Sequence, residues 1–407
     1  MKKGKIIIDP VYGFIHIPDG ILLQIVRHPW FRRLSRIKQL GLNNEVYPGA
    51  QHTRFQHSLG AYKLMGEALQ SLEQKGVIIL EQEAEAALAA ILLHDTGHGP
   101  FSHILEHTLM QGTHHEDLSL LIMECLNEEF QHKLDLAIRI FKGDYPRCFF
   151  HELICSQLDV DRLDYLNRDS FFTGVREGNI GTSRIIGMLD VADEHIVVES
   201  KGIYSIENYL VTRRLMYWQV YLHKTAIAAE MVLTGTLKRA RQLLAIGKQV
   251  GGSPALLFFL QNNVDKNMFK EDKRCLQYYA ELDDSDIWSA LKQWQHHDDR
   301  ILSTLSRNFV NRNLFKVEVS DKAPSENTIL QKREEVARCL NLDFDDTEYF
   351  VNVKSTEKMM YSKQADAIRL QYPNGDIRTM PEVSDIIRND NTQEADRKYY
   401  FCYQRTC

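Results

Sequence analysis

The segment EAEAALAAILLHD, residues 83–95, constrains the fold more than any other stretch of the sequence. Alanine and leucine cover nearly all of its faces, which predicts a helix that is buried on most sides. The residues that follow, Gly97, Gly99 and Pro100, end this helix and leave His94 and Asp95 in its last turns. The sequence therefore predicts a helical core that carries a titratable pair at one end of a buried helix.

Helical patterns extend through most of the chain. Apolar residues step by three and four from about residue 20 to residue 310, as they do between Leu59 and Leu72. Within this helical part, the segments HIVVES and GIYSI around Lys201 and Gly202 predict one small hairpin.

The pattern changes near Asn313. LFKVEVSD, YFVNVKS and RKYYFCYQR alternate as strands do, whereas SENTILQKREEVARCLNL is typical of a helix. AIRLQYPNGDIRTM predicts a hairpin, because Asn374 and Gly375 suit the positive φ angles of a tight turn. We therefore expect a mainly α protein with a helical domain at residues 1–310, centred on about 50–170, and a smaller C-terminal α+β lobe at residues 311–407.

Composition narrows the class of protein. With 407 residues, 44% of them hydrophobic, the chain can bury a large core. No run of 18 apolar residues occurs and the start MKKGKIIIDP has no signal-peptide core, so we expect a soluble cytoplasmic protein without a membrane partner. The seven cysteines form no CxxC pair, which argues against a disulfide framework and a cysteine zinc site and predicts reduced thiols.

The net charge of −6 provides no bulk field that would attract nucleic acid. Nucleic acid is therefore a possible partner that the sequence does not favour, and an anionic small substrate needs a local basic pocket. Histidine is the unusual component of the composition. Eight of the sixteen histidines lie between residues 52 and 115, namely His52, His57, His94, His98, His103, His107, His114 and His115.

This histidine cluster predicts a metal site. An adjacent His and Asp at a helix end can supply a nitrogen and an oxygen to one cation beside the helix. His57 and one of the acidic residues between Asp159 and Asp169 are candidates for the remaining ligands. Mixed nitrogen and oxygen ligation suits Mn, Fe, Zn, Ni or Mg. Burying so many polar rings without a role would cost about 1 to 3 kcal/mol for each unsatisfied group.

A zincin is an alternative interpretation, because HDTGH resembles the zincin motif HExxH. That motif needs a continuous helix to hold both histidines on one face. Gly97, Gly99 and Pro100 break the helix at this point, so we reject the alternative.

Four motifs in order, HTRFQHSLG, LLHDTGHGPFSH, HEDLS and DVDRLDYLNRD, resemble those of the HD-domain metal-dependent phosphohydrolases. The similarity is greatest to the dNTP triphosphohydrolase branch and covers nearly the whole chain, including the opening IIIDPVYGFIHI, the segment FRRLSRIKQLG and the later YLHK. It implies metal-dependent hydrolysis of a deoxynucleoside triphosphate to deoxynucleoside and triphosphate. It also implies a homo-oligomer, either a dimer or a tetramer.

The resemblance assigns roles to individual positions. The implied metal ligands are His57, His94, Asp95 and Asp161. The residues implied to surround the α-phosphate and to move protons are His98, His103, His115 and Glu116. The implied substrate contacts are Arg54, Arg162 and Arg213 to phosphate, Gln39 and Asp169 to the 3′-hydroxyl, and Tyr165 and Tyr221 to the deoxyribose.

Two other functions remain open at this point. One is a phosphohydrolase on the same scaffold that acts on a nucleotide monophosphate, a cyclic nucleotide or an alarmone. The other is a nucleotide- or nucleic-acid-binding module whose hydrolysis is vestigial, against which the acidic balance and the complete ligand set argue. Only a triphosphohydrolase releases intact triphosphate, so product analysis separates these functions.

Overall fold

The structure is a computed structural model that describes residues 4–102, 108–358, 367–389 and 396–405. These residues are mainly helical with small sheets, which confirms the predicted fold class. The helices that they form are α1 (Ile21–Arg27), α2 (Pro29–Arg33), α3 (Arg54–Gln74), α4 (Glu81–Leu93), α5 (His115–Glu129), α6 (Asp135–Lys142), α7 (Phe149–Glu152), α8 (Val160–Thr173), α9 (Thr182–Met188), α10 (Ile203–Met216), α11 (Lys224–Ala245), α12 (Pro254–Gln261), α13 (Lys266–Glu271), α14 (Lys273–Glu281), α15 (Asp284–Trp294), α16 (Arg300–Val310), α17 (Glu326–Leu340), α18 (Met380–Val383) and α19 (Asp385–Asn389). The strands are β1 (Lys5–Asp9), β2 (Gly13–Ile17), β3 (Met110–Gln111), β4 (Leu189–Ala192), β5 (His195–Glu199), β6 (Val264–Asp265), β7 (Lys316–Ser320), β8 (Val351–Lys358), β9 (Arg369–Gln371), β10 (Ile377–Thr379) and β11 (Asp396–Tyr403).

The buried helix predicted at residues 83–95 is α4. Its residues Ala87, Ala90 and Ile91 are fully buried, and the helix packs against α3 and α1. His94 is the residue that caps its C-terminus, as the glycines that follow predict. Helix α3 also packs against α8, so three helices meet where α4 ends.

The starts of α3 and α8 are fixed by their first residues. Gln56 Oε1 accepts a hydrogen bond from Thr53 N at 2.9 Å, as in a capping box. The Asp159 carboxylate accepts from Arg162 N at 2.7 Å and from Ser156 N at 2.8 Å, which caps α8. These caps determine which residues of each first turn lie beside the end of α4.

The hairpin predicted around Lys201 is wrong in one of its strands. HIVVES does form β5, but its partner is β4, which precedes it, with Leu189 paired to Val198. The two strands are joined at Asp193 and Glu194, which have φ angles of 51° and 62° and so form a two-residue turn of the kind that matches strand twist. The segment GIYSI instead begins α10.

The C-terminal strands follow the predicted pattern. β11 is the middle strand of a three-stranded sheet and pairs antiparallel with β7 and β8. The Asn-Gly hairpin forms between β9 and β10, with Gly375 at a φ of 89°. β9 also pairs in parallel with β5, Val198 opposite Leu370, so this sheet contains strands from both sides of residue 310.

Within the described part of the chain, no helix is long and apolar enough to cross a membrane. Free thiols are present at Cys125, Cys148, Cys155, Cys275 and Cys402. The expectation of reduced thiols is wrong at Cys339, which is disulfide-bonded. The sequence could not show this, because disulfide formation depends on how close the fold brings two Cα atoms.

Candidate metal centre

Three helices bring together the side chains of His57, His94 and Asp161. His57 Nε2 lies 3.0 Å from Asp161 Oδ1 and 3.3 Å from His94 Nε2, and His94 Nε2 lies 3.5 Å from Asp161 Oδ1. Among the described residues, these three form a group whose ligand atoms all lie within 4.8 Å of one another. Two nitrogens and one carboxylate oxygen fit a divalent first-row cation or Mg²⁺. The residues present therefore fit the predicted divalent metal.

The fourth predicted ligand, Asp95, lines the same space. Its Oδ2 lies 3.7 Å from His57 Nε2 and its Oδ1 lies 3.6 Å from His94 Nε2. The same carboxylate accepts a hydrogen bond from Arg54 Nη1 at 2.5 Å. Asp95 is thus shared between the histidines and an arginine, and its role as a ligand stays a prediction.

The carboxylates control the protonation of the two histidines. Burial lowers the pKa of His57, but Asp161 and Asp164 outweigh burial and raise this pKa to about 10. Burial likewise lowers the pKa of His94, and Asp95 and Asp161 reverse the shift so that the pKa is raised. Because a metal binds neutral imidazole, a cation entering this centre must displace protons, so metal affinity should increase with pH.

The turn after α4 needs a glycine for close packing. A Cβ on Gly97 would lie 2.0 Å from His115 O and 2.3 Å from Ser119 N. Ser119 Oγ donates to His94 O at 2.6 Å and accepts from Gly97 N at 2.9 Å. The first turns of α5 therefore lie directly on the turn and support the backbone of His94.

Two further residues hold the carbonyls of this turn. Arg33 Nη1 donates to His98 O at 2.9 Å and to Thr96 O at 3.4 Å. Tyr279 Oη donates to Gly97 O at 2.6 Å, and the Arg33 guanidinium lies over the Tyr279 ring. Neither Arg33 nor Tyr279 has a role predicted from the sequence. No local pattern identifies them, because Tyr279 comes from α14, far along the chain.

The structure brings two of the predicted catalytic histidines together. The rings of His98 and His115 have centroids 3.8 Å apart, and His98 Nδ1 lies 3.1 Å from Asp95 Oδ1. Burial and the nearby Arg54 guanidinium hold the pKa of His98 well below its usual range. Glu116 Oε1 lies 3.3 Å from His115 Nε2. The remaining predicted histidine, His103, lies outside the described residues.

The predicted sugar-binding residues are linked by hydrogen bonds and ring contacts. Asp169 accepts from Tyr221 Oη at 2.8 Å and lies 2.7 Å from His52 Nε2. Gln39 N donates to His52 O at 3.0 Å, and Gln39 Oε1 is buried with no hydrogen-bond partner among the described residues. Tyr165 contacts the edge of the Tyr221 ring with centroids 6.0 Å apart. His52, which the sequence analysis left without a role, connects this group.

The three predicted phosphate-binding arginines are all held by acceptors. Arg54 is buried and also donates to Ser102 Oγ at 2.7 Å. Arg162 pairs with Asp159, and Arg213 Nη1 donates to Gln157 Oε1 at 3.0 Å. These contacts preorganise the arginines, and phosphate binding by them stays a prediction.

Two family models and a crystal structure match this chain. An HD domain family model matches residues 54–144, and an HD associated region matches residues 180–246. The chain is 54% identical in sequence to a phosphohydrolase from Bacteroides thetaiotaomicron whose crystal structure is known, and the two structures superpose with a TM-score of 0.95. The match covers 99% of this chain and 100% of the other.

Two curated relatives extend the comparison. The uncharacterized protein YwfO of Bacillus subtilis is 32% identical over 100% of this chain and 94% of its own length. A deoxynucleoside triphosphate triphosphohydrolase SAMHD1 homolog of Dictyostelium discoideum is 32% identical over 61% of this chain and 52% of its own length. With its histidine and aspartate cluster at the end of a buried helix, the chain belongs to the HD-domain phosphohydrolase family.

Proposed function

We propose that this protein hydrolyses deoxynucleoside triphosphates to deoxynucleoside and triphosphate with a divalent metal ion. The observation that carries the proposal is the position of the tyrosines beside the metal-ligand group. The Tyr165 ring has its centroid 6.5 Å from that of His57 and 6.0 Å from that of Tyr221. A nucleotide whose α-phosphate lies at the metal centre would have its sugar against these rings.

The metal ion would be held by His57, His94 and Asp161, with Asp95 as the fourth ligand. When bound, such an ion would lower the pKa of a water molecule to about 7 and so supply hydroxide at neutral pH. The protein's own residues then orient the substrate and move protons. His98, at its lowered pKa, is neutral and can accept a proton, and His115 with Glu116 behind it can donate one to the 5′-oxygen of the leaving deoxynucleoside.

The other side chains select the substrate. Arg54, Arg162 and Arg213 would bind phosphate oxygens, for which the guanidinium fork is suited. Asp169 and Gln39 would accept and donate at the 3′-hydroxyl. A tyrosine against C2′ leaves no room for a 2′-hydroxyl, which favours deoxyribose over ribose. The name of the Dictyostelium relative, a deoxynucleoside triphosphate triphosphohydrolase, supports this choice.

Product chromatography tests the proposal. The purified protein is incubated with Mn²⁺ or Mg²⁺ and with each dNTP singly, then with all four together. Deoxynucleoside and intact triphosphate are the expected products, and turnover in the mixture alone would indicate activation by a nucleotide. Orthophosphate, pyrophosphate or no product would contradict the proposal. The Asp95→Ala variant is the control and should lose both metal and turnover.

Assembly into a homo-oligomer, dimer or tetramer, is part of the same proposal. Sedimentation equilibrium measures it directly, together with an activity assay on each separated species. An active monomer would contradict it.

A further inference from the structure

The ring of His57 is held on the side that faces away from the other ligands. Its Nε2 lies near Asp161 and His94, while its Nδ1 lies 2.6 Å from Asp164 Oδ2. Asp164 is fully buried, and His57 is 1% exposed. A carboxylate in this position accepts a hydrogen bond from Nδ1–H of the neutral imidazole. This contact fixes the tautomer and directs the Nε2 lone pair towards the metal position.

Asp164 is in turn held by Arg168, one turn later in α8. Arg168 Nε donates to Asp164 Oδ2 at 2.9 Å and Nη2 donates to Oδ1 at 3.0 Å, a two-pronged contact. The arginine is fully buried, so it needs further acceptors. Asp9 provides them, with Oδ2 2.8 Å from Nη1 and Oδ1 3.3 Å from Nη2.

Asp9 also organises the start of the described chain. It ends β1, and its Oδ1 accepts hydrogen bonds from Val11 N at 2.9 Å and Tyr12 N at 3.0 Å. The turn of the β1–β2 hairpin is therefore built on the same carboxylate that pairs with Arg168. The hairpin and the metal ligand are thus joined by three buried charged side chains.

Helix α3 leaves room for this chain of contacts at one position. A Cβ on Gly60 would lie 1.9 Å from Asp164 Oδ1 and 2.1 Å from Arg168 Nη2. Gly60 is one turn after His57, so the helix that carries the ligand also accommodates the pair behind it. The two carboxylates and one guanidinium sum to a single negative charge, which complements a cation at the metal centre.

We infer that Asp164, Arg168 and Asp9 form a relay that positions His57 for metal binding, so that the N-terminal hairpin sets the affinity of the metal centre. This inference rests on the proposed metal-dependent function. The three members are positioning residues, because within the described part of the chain they contact the three metal-ligand side chains only through His57. Substitution of a residue that hydrogen-bonds to a metal ligand typically lowers metal affinity by about 10- to 100-fold.

The test measures Mn²⁺ affinity of the full chain by isothermal titration calorimetry and the visible absorption spectrum of bound Co²⁺. Asp164→Asn should weaken Mn²⁺ binding by about 10- to 100-fold and alter the Co²⁺ spectrum. Asp9→Asn, which does not touch a ligand, should weaken binding several-fold in the same direction. Asp9→Asn keeps the inference testable if Asp164→Asn does not fold.

Asp299→Asn is the matched control. Asp299 also accepts a backbone hydrogen bond, from Leu302 N, and pairs with an arginine, Arg239, through two contacts at 2.6 and 3.0 Å. This variant should lower thermal stability as the Asp9 variant does but leave Mn²⁺ affinity unchanged.

Two results would overturn the relay. In the first, both relay variants keep the wild-type Mn²⁺ affinity while losing stability as the control does. In the second, the wild-type protein binds no Mn²⁺, which would overturn the metal centre as well. Metal binding without dNTP hydrolysis would overturn the proposed substrate alone and leave the relay standing.

Discussion

Charged side chains have different roles around the metal centre and in the C-terminal three-stranded sheet. Arg168 and Asp164 are fully buried beside the metal ligands, each in contact with a second charged group. On the sheet, Arg397 and Glu357 pair at 2.9 Å with 53% of each side chain exposed. An exposed charge that loses its partner is rehydrated, whereas a buried one keeps its desolvation cost. Substitution of a buried charged residue near the metal centre should therefore lower stability or metal affinity strongly, whereas substitution of an exposed one on the sheet should change them little.

The largest effect is expected for Asp161→Asn at the centre. The amide removes the carboxylate whose Oδ1 lies 3.0 Å from His57 Nε2 and 3.5 Å from His94 Nε2. Metal affinity should fall by more than about 100-fold, since residues that only support ligands are already worth about 10- to 100-fold. Calorimetry with Mn²⁺ and the product assay measure this. If the variant kept both metal binding and turnover, Asp161 would not be a metal ligand.

Arg32 and Arg33 are adjacent in the chain but differ in burial, since Arg33 is buried and Arg32 is exposed. Arg33→Met would leave Leu282 O and His98 O without their donor inside the protein. We expect a loss of about 2 to 4 kcal/mol in the free energy of unfolding and slower turnover, because the turn that carries Asp95 is no longer held. Arg32→Met removes only an exposed guanidinium 4.6 Å from the Phe55 ring and should cost less than about 1 kcal/mol.

Urea unfolding of both variants at one pH gives the two free energies. Equal losses at Arg32 and Arg33 would contradict the view that burial decides the effect. Circular dichroism before unfolding confirms that each variant starts from the folded state.

The pH dependence of stability provides a third test, away from the metal ligands. Asp284 accepts from Phe101 N at 2.9 Å and from Lys38 N at 3.0 Å, and burial raises its pKa to about 6. Because this pKa is higher in the folded than in the unfolded state, the folded state binds the proton more tightly. The stabilisation from protonation is therefore full below about pH 4 and is lost as the pH rises through 6.

Wild-type stability should fall relative to Asp284→Asn by up to about 3 kcal/mol between pH 4 and pH 7. Urea unfolding at intervals of half a pH unit measures the difference. Parallel profiles for the two proteins would show that Asp284 titrates normally.

The smallest effect is expected for Glu357→Gln on the exposed sheet. This change makes the same carboxylate-to-amide substitution as Asp161→Asn but breaks only the exposed pair with Arg397. The free energy of unfolding should change by less than about 0.5 kcal/mol, and metal affinity should not change. A loss of 2 kcal/mol or more would erase the distinction between the two regions.

Features that depend on neighbours in the sequence were predicted well. The buried helix α4, the pair at its end and the Asn374-Gly375 hairpin are confirmed, because apolar periodicity and turn chemistry act over a few residues. The hairpin around Lys201 was misassigned, because HIVVES can pair with a strand on either side. The short turn at Asp193 and Glu194 decided which strand it was.

From the sequence alone it follows that an HD pair ends a buried helix and that histidines and carboxylates are available for a metal. The sequence left Asp159 and Asp161 as alternatives, and the tertiary structure separates them. Asp159 precedes the first helical residue of α8 in an extended backbone conformation, where its side chain caps the helix and pairs with Arg162. Asp161 lies in the first turn of the helix, and its Oδ1 is 3.0 Å from His57 Nε2.

The side chains that hold the ligands in place can be identified only from the way the chain packs. Asp9 and Arg168 are 159 positions apart in the chain, and Arg33 lies 249 positions from the carbonyl of Leu282. A hydrogen bond forms only where packing brings donor and acceptor within about 3 Å. Local sequence patterns carry no information about such distances, so these contacts depend on how the helices and the N-terminal hairpin pack together.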